Sequence, residues 1–191
     1  QLDYFNASQA EEARMRLGIP IGVPVFLFGG RLSADKGIET VVEGLPQEAH
    51  VILAGATDLG AFSAIRERIW WFPFQSRENM RELYTACDAV LVPSRCLDCF
   101  PTMCLESMAM GRPVLATNWG GAKESVEDGS TGWILDPLDI SAWKERMEWC
   151  AKHRDELVKM EAACRLRIER AFSSERWIDR LEGEYAKAQT R

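Results

Sequence analysis

The chain has 191 residues, which is long enough for one domain with a full hydrophobic core. Its 47% hydrophobic and 27% charged residues are typical of a globular protein, and a formal net charge of -6 argues against a general nucleic-acid binder. No apolar run approaches the roughly 18 residues of a membrane span. The six cysteines are unevenly spaced, so we interpret them as reduced thiols of a cytoplasmic protein rather than a disulfide framework.

In chain order, short apolar runs alternate with segments of helical character. The first twenty residues predict one short helix. Six runs rich in Val, Ile, Leu or Phe follow, which favours strands buried on both faces of a parallel sheet: VPVFLFGG, HVILAG, IWWFPF, AVLVPS, RPVLAT and GWIL. Helical segments lie between them: KGIETVVEGL, DLGAFSAIRER, RENMRELYTAC, PTMCLESMAM and AKESVEDG. This alternation predicts an α/β fold, a doubly wound, Rossmann-like parallel sheet of about six strands with helices on both faces.

The last sixty residues change character and predict a helical C-terminal segment. We expect helices over residues 139–150, 154–171 and 173–188, with Ser173 as the N-cap of the third. In that third helix, Trp177, Leu181 and Tyr185 recur at four-residue spacing and form an apolar stripe.

The loop after the first strand, FGGRLSADKG, is a candidate phosphate site, because ligands of such sheets bind beyond the carboxyl ends of the strands. Gly29 and Gly30 allow a ligand to approach the backbone closely. Arg31 and Lys36 add a guanidinium and an ammonium, which suit a diphosphate. The loop matches neither a Walker sequence nor GxGxxG, so an ordinary turn with two solvated cations remains the alternative.

The stretch DCFPTMCLE, residues 98–106, is a second candidate site. Pro101 suits the first position of a helix, which leaves the amides of residues 102–104 without intrahelical partners and predicts an anion site. Asp98 precedes this helix and Glu106 lies about one turn inside it. A helix-capping acid and a solvated helix position are the alternatives for these two carboxylates.

Two further segments have weaker signals. Gly120 and Gly121 follow a strand and precede Glu124, so a ligand could approach there, although such a pair more commonly marks an ordinary turn or loop. In WWFPF, residues 70–74, one ring could stack on a base, but we expect most of these rings to be buried in the core.

A different function is also compatible with this region. Cys96-Leu97-Asp98-Cys99, directly after a strand and before a helix, is typical of a thioredoxin-like redox site. A metal-binding α/β domain would need four ligands, and only Cys104 is an obvious third. Against the redox function, Arg31, Lys36 and Glu106 would have no role.

As an ordered set, four segments resemble the C-terminal donor-binding domain of retaining glycosyltransferases with the GT-B fold (glycosyltransferase family 4, or glycosyl transferases group 1): GRLSADKG, VPSRCLDCFPTMCLESMAMGRPVLAT, GGAKE and EDGSTGWILDP. The resemblance covers roughly Gly22 to the C-terminus. It implies an interdomain crossover with a short helix over residues 1–20 and a single nucleotide-sugar donor-binding domain over residues 21–191. We therefore expect an acceptor-binding N-terminal domain outside these residues, and a chain that is inactive alone.

The resemblance also implies roles for individual residues. Arg31 and Lys36 would hold the donor's diphosphate and steady the leaving group, and Glu106 would accept hydrogen bonds from the ribose hydroxyls. Asp98 replaces the first Glu of the family's Glu-x7-Glu motif and would contact the donor sugar, although it is one methylene shorter. Arg31, Lys36 and Asp98 are thus the predicted catalytic residues. The predicted donor-binding residues are Gly29, Gly30, Arg31, Lys36, Phe100, Pro101, Thr102, Met103 and Glu106.

The same resemblance implies the ligands and partners. The donor would be a UDP, GDP or ADP sugar, transferred with retention of anomeric configuration and without a cofactor or a metal ion. The acceptor would be a sugar, lipid or glycan, and the full enzyme could associate peripherally with a membrane. The last helix would cross back to the N-terminal domain, so we expect part of its apolar stripe to be under-buried in this chain.

Overall fold

A six-stranded parallel sheet forms the centre of the computed structural model, which describes residues 7–31, 33–55 and 60–189. All its neighbouring strands run parallel, in the order β3-β2-β1-β4-β5-β6. The strands are β1 (Val25–Gly29), β2 (His50–Ala54), β3 (Ile69–Phe72), β4 (Ala89–Val92), β5 (Val114–Thr117) and β6 (Gly132–Leu135). Each of the six apolar runs therefore contains a strand, which confirms the predicted doubly wound α/β fold. The strand order reverses between β1 and β4, where such sheets bind ligands.

Helices cover both faces of the sheet. The α-helices are α1 (Ala7–Leu17), α2 (Ile38–Gly44), α3 (Arg77–Ala86), α4 (Thr102–Ala109), α5 (Ala122–Ser125), α6 (Ile140–Lys152), α7 (Arg154–Lys159), α8 (Glu161–Ala171) and α9 (Ser174–Gln189). Short 3-10 helices span Ala34–Lys36 and Gly60–Arg68. The second of these replaces the predicted regular helix over residues 58–68, because the backbone at the buried residue Ile65 leaves helical geometry (φ -123°).

The predicted helix over residues 154–171 is broken at Met160 into α7 and α8. Leu157 of α7 belongs to the hydrophobic core on one face of the sheet, with α2 and α6. Cys164 of α8 belongs to the core on the other face, with α1, α3 and α4. One straight helix cannot bury both side chains on opposite faces, so the chain turns between them.

Two predictions concern the burial of apolar side chains, in α9 and in the WWFPF segment. No residue of α9 is buried, and Trp177 and Tyr185 are 63% and 64% exposed, which confirms the expected under-burial of this stripe. Ser173 Oγ accepts from the Arg176 amide (3.3 Å), as predicted for the N-cap. The expected burial of the WWFPF rings is wrong, because β3 is an edge strand and none of these rings is fully buried; Phe74 is 89% exposed.

Within the described parts of the chain, no helix is long and apolar enough to cross a lipid bilayer.

Candidate functional site

The loop after β1 separates its two cations. Gly29 and Gly30 end the strand, and Gly30 has a φ of +115°, which side-chain-bearing residues rarely adopt. Arg31 is 77% exposed and forms an ion pair with Asp35 (3.2 Å), so it lies at the rim. Lys36 is the more enclosed cation, with 23% of its side chain exposed. The two predicted cations therefore differ in burial, with Lys36 lying deeper than Arg31.

Lys36 is held by the loop between β4 and α4. Its Nζ donates to Asp98 Oδ2 (3.1 Å) and lies 3.7 Å from Cys96 Sγ. Desolvation alone would lower the pKa of Lys36, but the hydrogen bond to Asp98 and the nearby negative charges outweigh it and raise this pKa above its usual value. Lys36 is therefore protonated at neutral pH.

The Gly120–Gly121 pair positions the Asp98 loop. The Gly121 amide donates to the Asp98 carbonyl (2.9 Å). A Cβ added at Gly120 would lie 2.3 Å from the Asp98 carbonyl oxygen, and one at Gly121 would lie 1.9 Å from that of Cys99. The glycine pair thus allows its backbone to approach the backbone of Asp98 and Cys99, whereas the sequence suggested either the approach of a ligand or an ordinary loop. The pair supports the site indirectly, by fitting the Asp98 loop against the end of β5.

The start of α4 differs in detail from the prediction. Pro101 is the N-cap rather than the first helical residue, and the Cys104 amide donates to the Pro101 carbonyl (3.1 Å). The amides of Thr102 and Met103 remain as donors ahead of the first hydrogen-bonded turn. Met103 also lies against β1, since a Cβ added at Gly29 would be 2.9 Å from its Sδ and Cε atoms. Asp98 does not cap the helix; its Oδ1 accepts from the Phe100 amide (3.3 Å).

Glu106 lies on α4 and is exposed, yet it is not simply solvated. Its Oε2 accepts a hydrogen bond from the Tyr84 hydroxyl (2.8 Å), and Tyr84 is only 2% exposed. Neither partner was linked to the other by the sequence, because they are on different helices, α3 and α4.

Two adjoining clefts at the carboxyl ends of the strands contain almost all of the predicted site. A cleft of about 430 Å³ is lined by Gly29, Gly30, Arg31, Lys36, Asp98, Pro101, Thr102 and Met103. A neighbouring groove of about 780 Å³ includes Glu106 and shares Gln75, Met80 and Thr102 with the first. Phe100 lines neither; its ring faces Phe172 at 5.6 Å, beside a separate apolar groove. Apart from Phe100, the structure brings the predicted residues together.

Sequence reasoning missed several lining residues. The loop after β3 contributes Gln75, which the strand-end rule that identified the β1 and β4 loops could have found, and Phe74, which belongs to the WWFPF segment where one ring was considered for stacking on a base. Ser94 follows β4 and is buried in the first cleft. Tyr84 and Arg77 line the groove from α3, where nothing in the sequence separates them from other helix positions.

The cysteine pair does not form the helix-start site that a redox function would need. Cys96 and Cys99 lie in the loop before α4, which begins three residues after Cys99. Burial raises the pKa of Cys104 to about 12, so this nearby thiol stays protonated. Among the residues that the structure describes, no group of three or more His, Cys, Asp or Glu side chains is arranged to hold a metal ion.

Residues 9–167 match the family described as Glycosyl transferases group 1. The chain is 30% identical to a D-inositol 3-phosphate glycosyltransferase of Mycobacterium leprae over 98% of its own length and 47% of the relative's. A Mycobacterium bovis protein of the same name is 29% identical over 98% and 42% of the two chains. The chain therefore spans about half the length of the curated relatives it matches.

Solved structures of two bacterial proteins share the fold. Sucrose-phosphate synthase from Thermosynechococcus elongatus has a TM-score of 0.84 at 24% identity, covering 99% of this chain and 50% of that one. Anabaena HepE in complex with UDP-glucose has a TM-score of 0.73 at 23% identity, covering 88% and 50%. With the family match over most of its length, the chain belongs to the group 1 glycosyl transferases.

Proposed function

We propose that this chain binds a nucleoside diphosphate sugar, as the donor-binding part of a glycosyltransferase that transfers the sugar with retention of configuration. The observation that carries the proposal is the first cleft. It joins the backbone at Gly29–Gly30, the enclosed ammonium of Lys36 and the start of α4 at the point where the strand order reverses.

The first cleft suits a diphosphate on chemical grounds. An ammonium and the unpaired amides at a helix start both favour an anion. Arg31 at the rim adds a second cation that can leave its exposed partner Asp35 at little cost, since exposed ion pairs are weak. These groups would stabilise negative charge on the departing diphosphate, the role that a metal ion has in other transferases. We therefore propose transfer without a metal ion.

The second groove suits the nucleoside. Glu106 presents a carboxylate there, and a carboxylate can accept hydrogen bonds from two vicinal hydroxyls. Asp98, beside Lys36 in the first cleft, would then be close to the sugar. Because the chain spans about half the length of its curated relatives, we propose that acceptor binding and transfer require a further part of the enzyme besides these 191 residues.

Calorimetry with two ligands and two variants tests this assignment. UDP is the first choice, since the solved HepE complexes contain UDP and UDP-glucose; ADP and GDP follow. Glu106→Gln keeps the shape but removes the charge, and charge-assisted hydrogen bonds contribute roughly 1.5–3 kcal/mol. UDP affinity should fall by about tenfold or more. Inorganic pyrophosphate, which has no ribose, should bind as before.

Lys36→Ala is the complementary variant. It removes the enclosed cation and should weaken the binding of UDP and of pyrophosphate together. In the unmodified chain, EDTA should leave the affinities for both ligands unchanged. Equal loss for both ligands in Glu106→Gln, or no loss, would show that the ribose assignment is wrong. Absence of binding by the unmodified chain to UDP, ADP, GDP and pyrophosphate would contradict the proposed function itself.

A further inference from the structure

Tyr84 is a buried residue whose polar atom reaches the proposed nucleoside groove. It lies on α3 and is 2% exposed, and it belongs to the hydrophobic core between the helices α1, α3 and α4 and one face of the sheet. Its hydroxyl lies at the groove that Glu106 lines and donates to Glu106 Oε2 at 2.8 Å. Among the residues described, this phenol is the hydrogen-bond partner of the Glu106 carboxylate.

The proton of this hydrogen bond stays on Tyr84. Burial, and then the negative charge of Glu106, raise the pKa of the phenol well above its usual value. Tyr84 is therefore a donor throughout the physiological pH range. Because it engages Oε2, it restricts rotation of the carboxylate and leaves Oε1 as an acceptor for a ligand.

The two helices that carry this pair are joined by a buried arginine. Arg112 is 5% exposed and donates to the carbonyls of Tyr84 (3.3 Å) and Thr85 (3.1 Å) at the end of α3. The Arg112 carbonyl in turn accepts from Ser107 Oγ of α4 (2.9 Å). The relative position of Tyr84 and Glu106 is thus fixed by the core and not by the exposed helix surface.

We propose that Tyr84 is a positioning residue: it orients the Glu106 carboxylate toward the ribose diol of a nucleoside diphosphate and so sets the preference for nucleosides over inorganic anions. This inference rests on the proposed function. An ordinary core tyrosine with a satisfied hydroxyl would affect stability but would not distinguish one ligand of the cleft from another.

Tyr84→Phe tests the inference, because it keeps the ring and removes only the hydroxyl. Calorimetry should show a UDP dissociation constant about three- to tenfold higher, as expected for loss of one hydrogen bond, and an unchanged constant for pyrophosphate. The matched control is Tyr185→Phe, at an exposed position of α9, which should change neither ligand. Equal loss for UDP and pyrophosphate, partial or complete, would assign Tyr84 a purely structural role and overturn the proposal, as would an unchanged UDP constant.

A double-variant cycle and a modified ligand separate this inference from the proposed function. On a Glu106→Gln background, Tyr84→Phe should cause little further loss of UDP affinity, since the two residues act on the same diol. Additive losses would mean that Tyr84 acts independently of Glu106, contrary to the proposal.

The unmodified chain should bind 2′-deoxy-UDP more weakly than UDP, and Tyr84→Phe should reduce that difference. If the unmodified chain binds UDP and 2′-deoxy-UDP equally well, the ribose assignment is wrong. If the unmodified chain prefers UDP and Tyr84→Phe keeps the same preference, the ribose assignment stands and only the role of Tyr84 is wrong.

Discussion

Gly121→Ala tests whether the glycine pair supports the candidate site. Gly121 does not need a glycine for its backbone angles, since its φ of -85° is ordinary. Its missing side chain matters instead, because the Cys99 carbonyl oxygen would lie 1.9 Å from an added Cβ. Real Cβ contacts are essentially never shorter than 3.0 Å, so the two backbones must separate by at least 1.1 Å.

The cost of that separation follows from the contacts it disturbs. Overpacking of this kind costs typically about 1–3 kcal/mol. The Gly121 amide also donates to the Asp98 carbonyl at 2.9 Å, and losing this hydrogen bond adds about 1 kcal/mol. We expect the free energy of unfolding to fall by about 2–4 kcal/mol.

Urea unfolding measures this loss, with Gly183→Ala as the control. Gly183 lies on α9, where an added Cβ meets no heavy atom within 4 Å. Alanine is favoured over glycine inside a helix by about 1 kcal/mol, so the control should lose no stability. If the free energy of unfolding of Gly121→Ala lies within about 0.5 kcal/mol of that of the unmodified chain, the Gly120–Gly121 pair is ordinary loop sequence and its role in positioning Asp98 is refuted.

Two further predictions concern the thiols and the pH dependence of stability. The double variant Cys96→Ser with Cys99→Ser should leave UDP affinity essentially unchanged in calorimetry; insulin-reducing activity of the unmodified chain that is absent from this variant would instead support a redox function. For His50, burial and then the charge of Arg68 lower the pKa in the folded state, so the unfolded chain binds the proton more readily below about pH 6.5. The free energy of unfolding should therefore fall as the pH is lowered from 7.5 to 5.5, and less steeply in His50→Gln; parallel profiles would exclude this contribution.

Much of the fold and the site could be predicted because both depend on local sequence. Each strand is a short apolar run, and strand ends mark where ligands bind in a doubly wound sheet, so the loops containing Lys36 and Asp98 were identified without the structure. The Glu106 position followed from the family's motif rather than from any physical pattern.

What the sequence did not predict depends on contacts between distant segments. The exposure of Trp71 follows from β3 being the sheet edge, which strand order decides and apolar content does not, and Phe74 lies in the loop beyond this strand. The break at Met160 follows from the need to cover both faces of the sheet. The Tyr84–Glu106 hydrogen bond joins two helices whose spacing is set by packing, and the partners are 22 positions apart in the sequence.

The replacement of the family's first Glu by Asp98 acquires a physical meaning in the structure. Asp98 uses both carboxylate oxygens within the chain, Oδ1 for the Phe100 amide and Oδ2 for Lys36. Next to Lys36, Gly37 has a φ of +74°, and a Cβ added there would lie 2.0 Å from the Pro93 carbonyl oxygen, so the two loops pack closely at this point. A diphosphate entering the cleft would be repelled by Asp98 and attracted by Lys36, and the raised pKa of Lys36 keeps the ammonium charged. Asp98 therefore primarily positions Lys36. A donor-sugar hydroxyl would donate to the lone pairs that remain on the two carboxylate oxygens of Asp98.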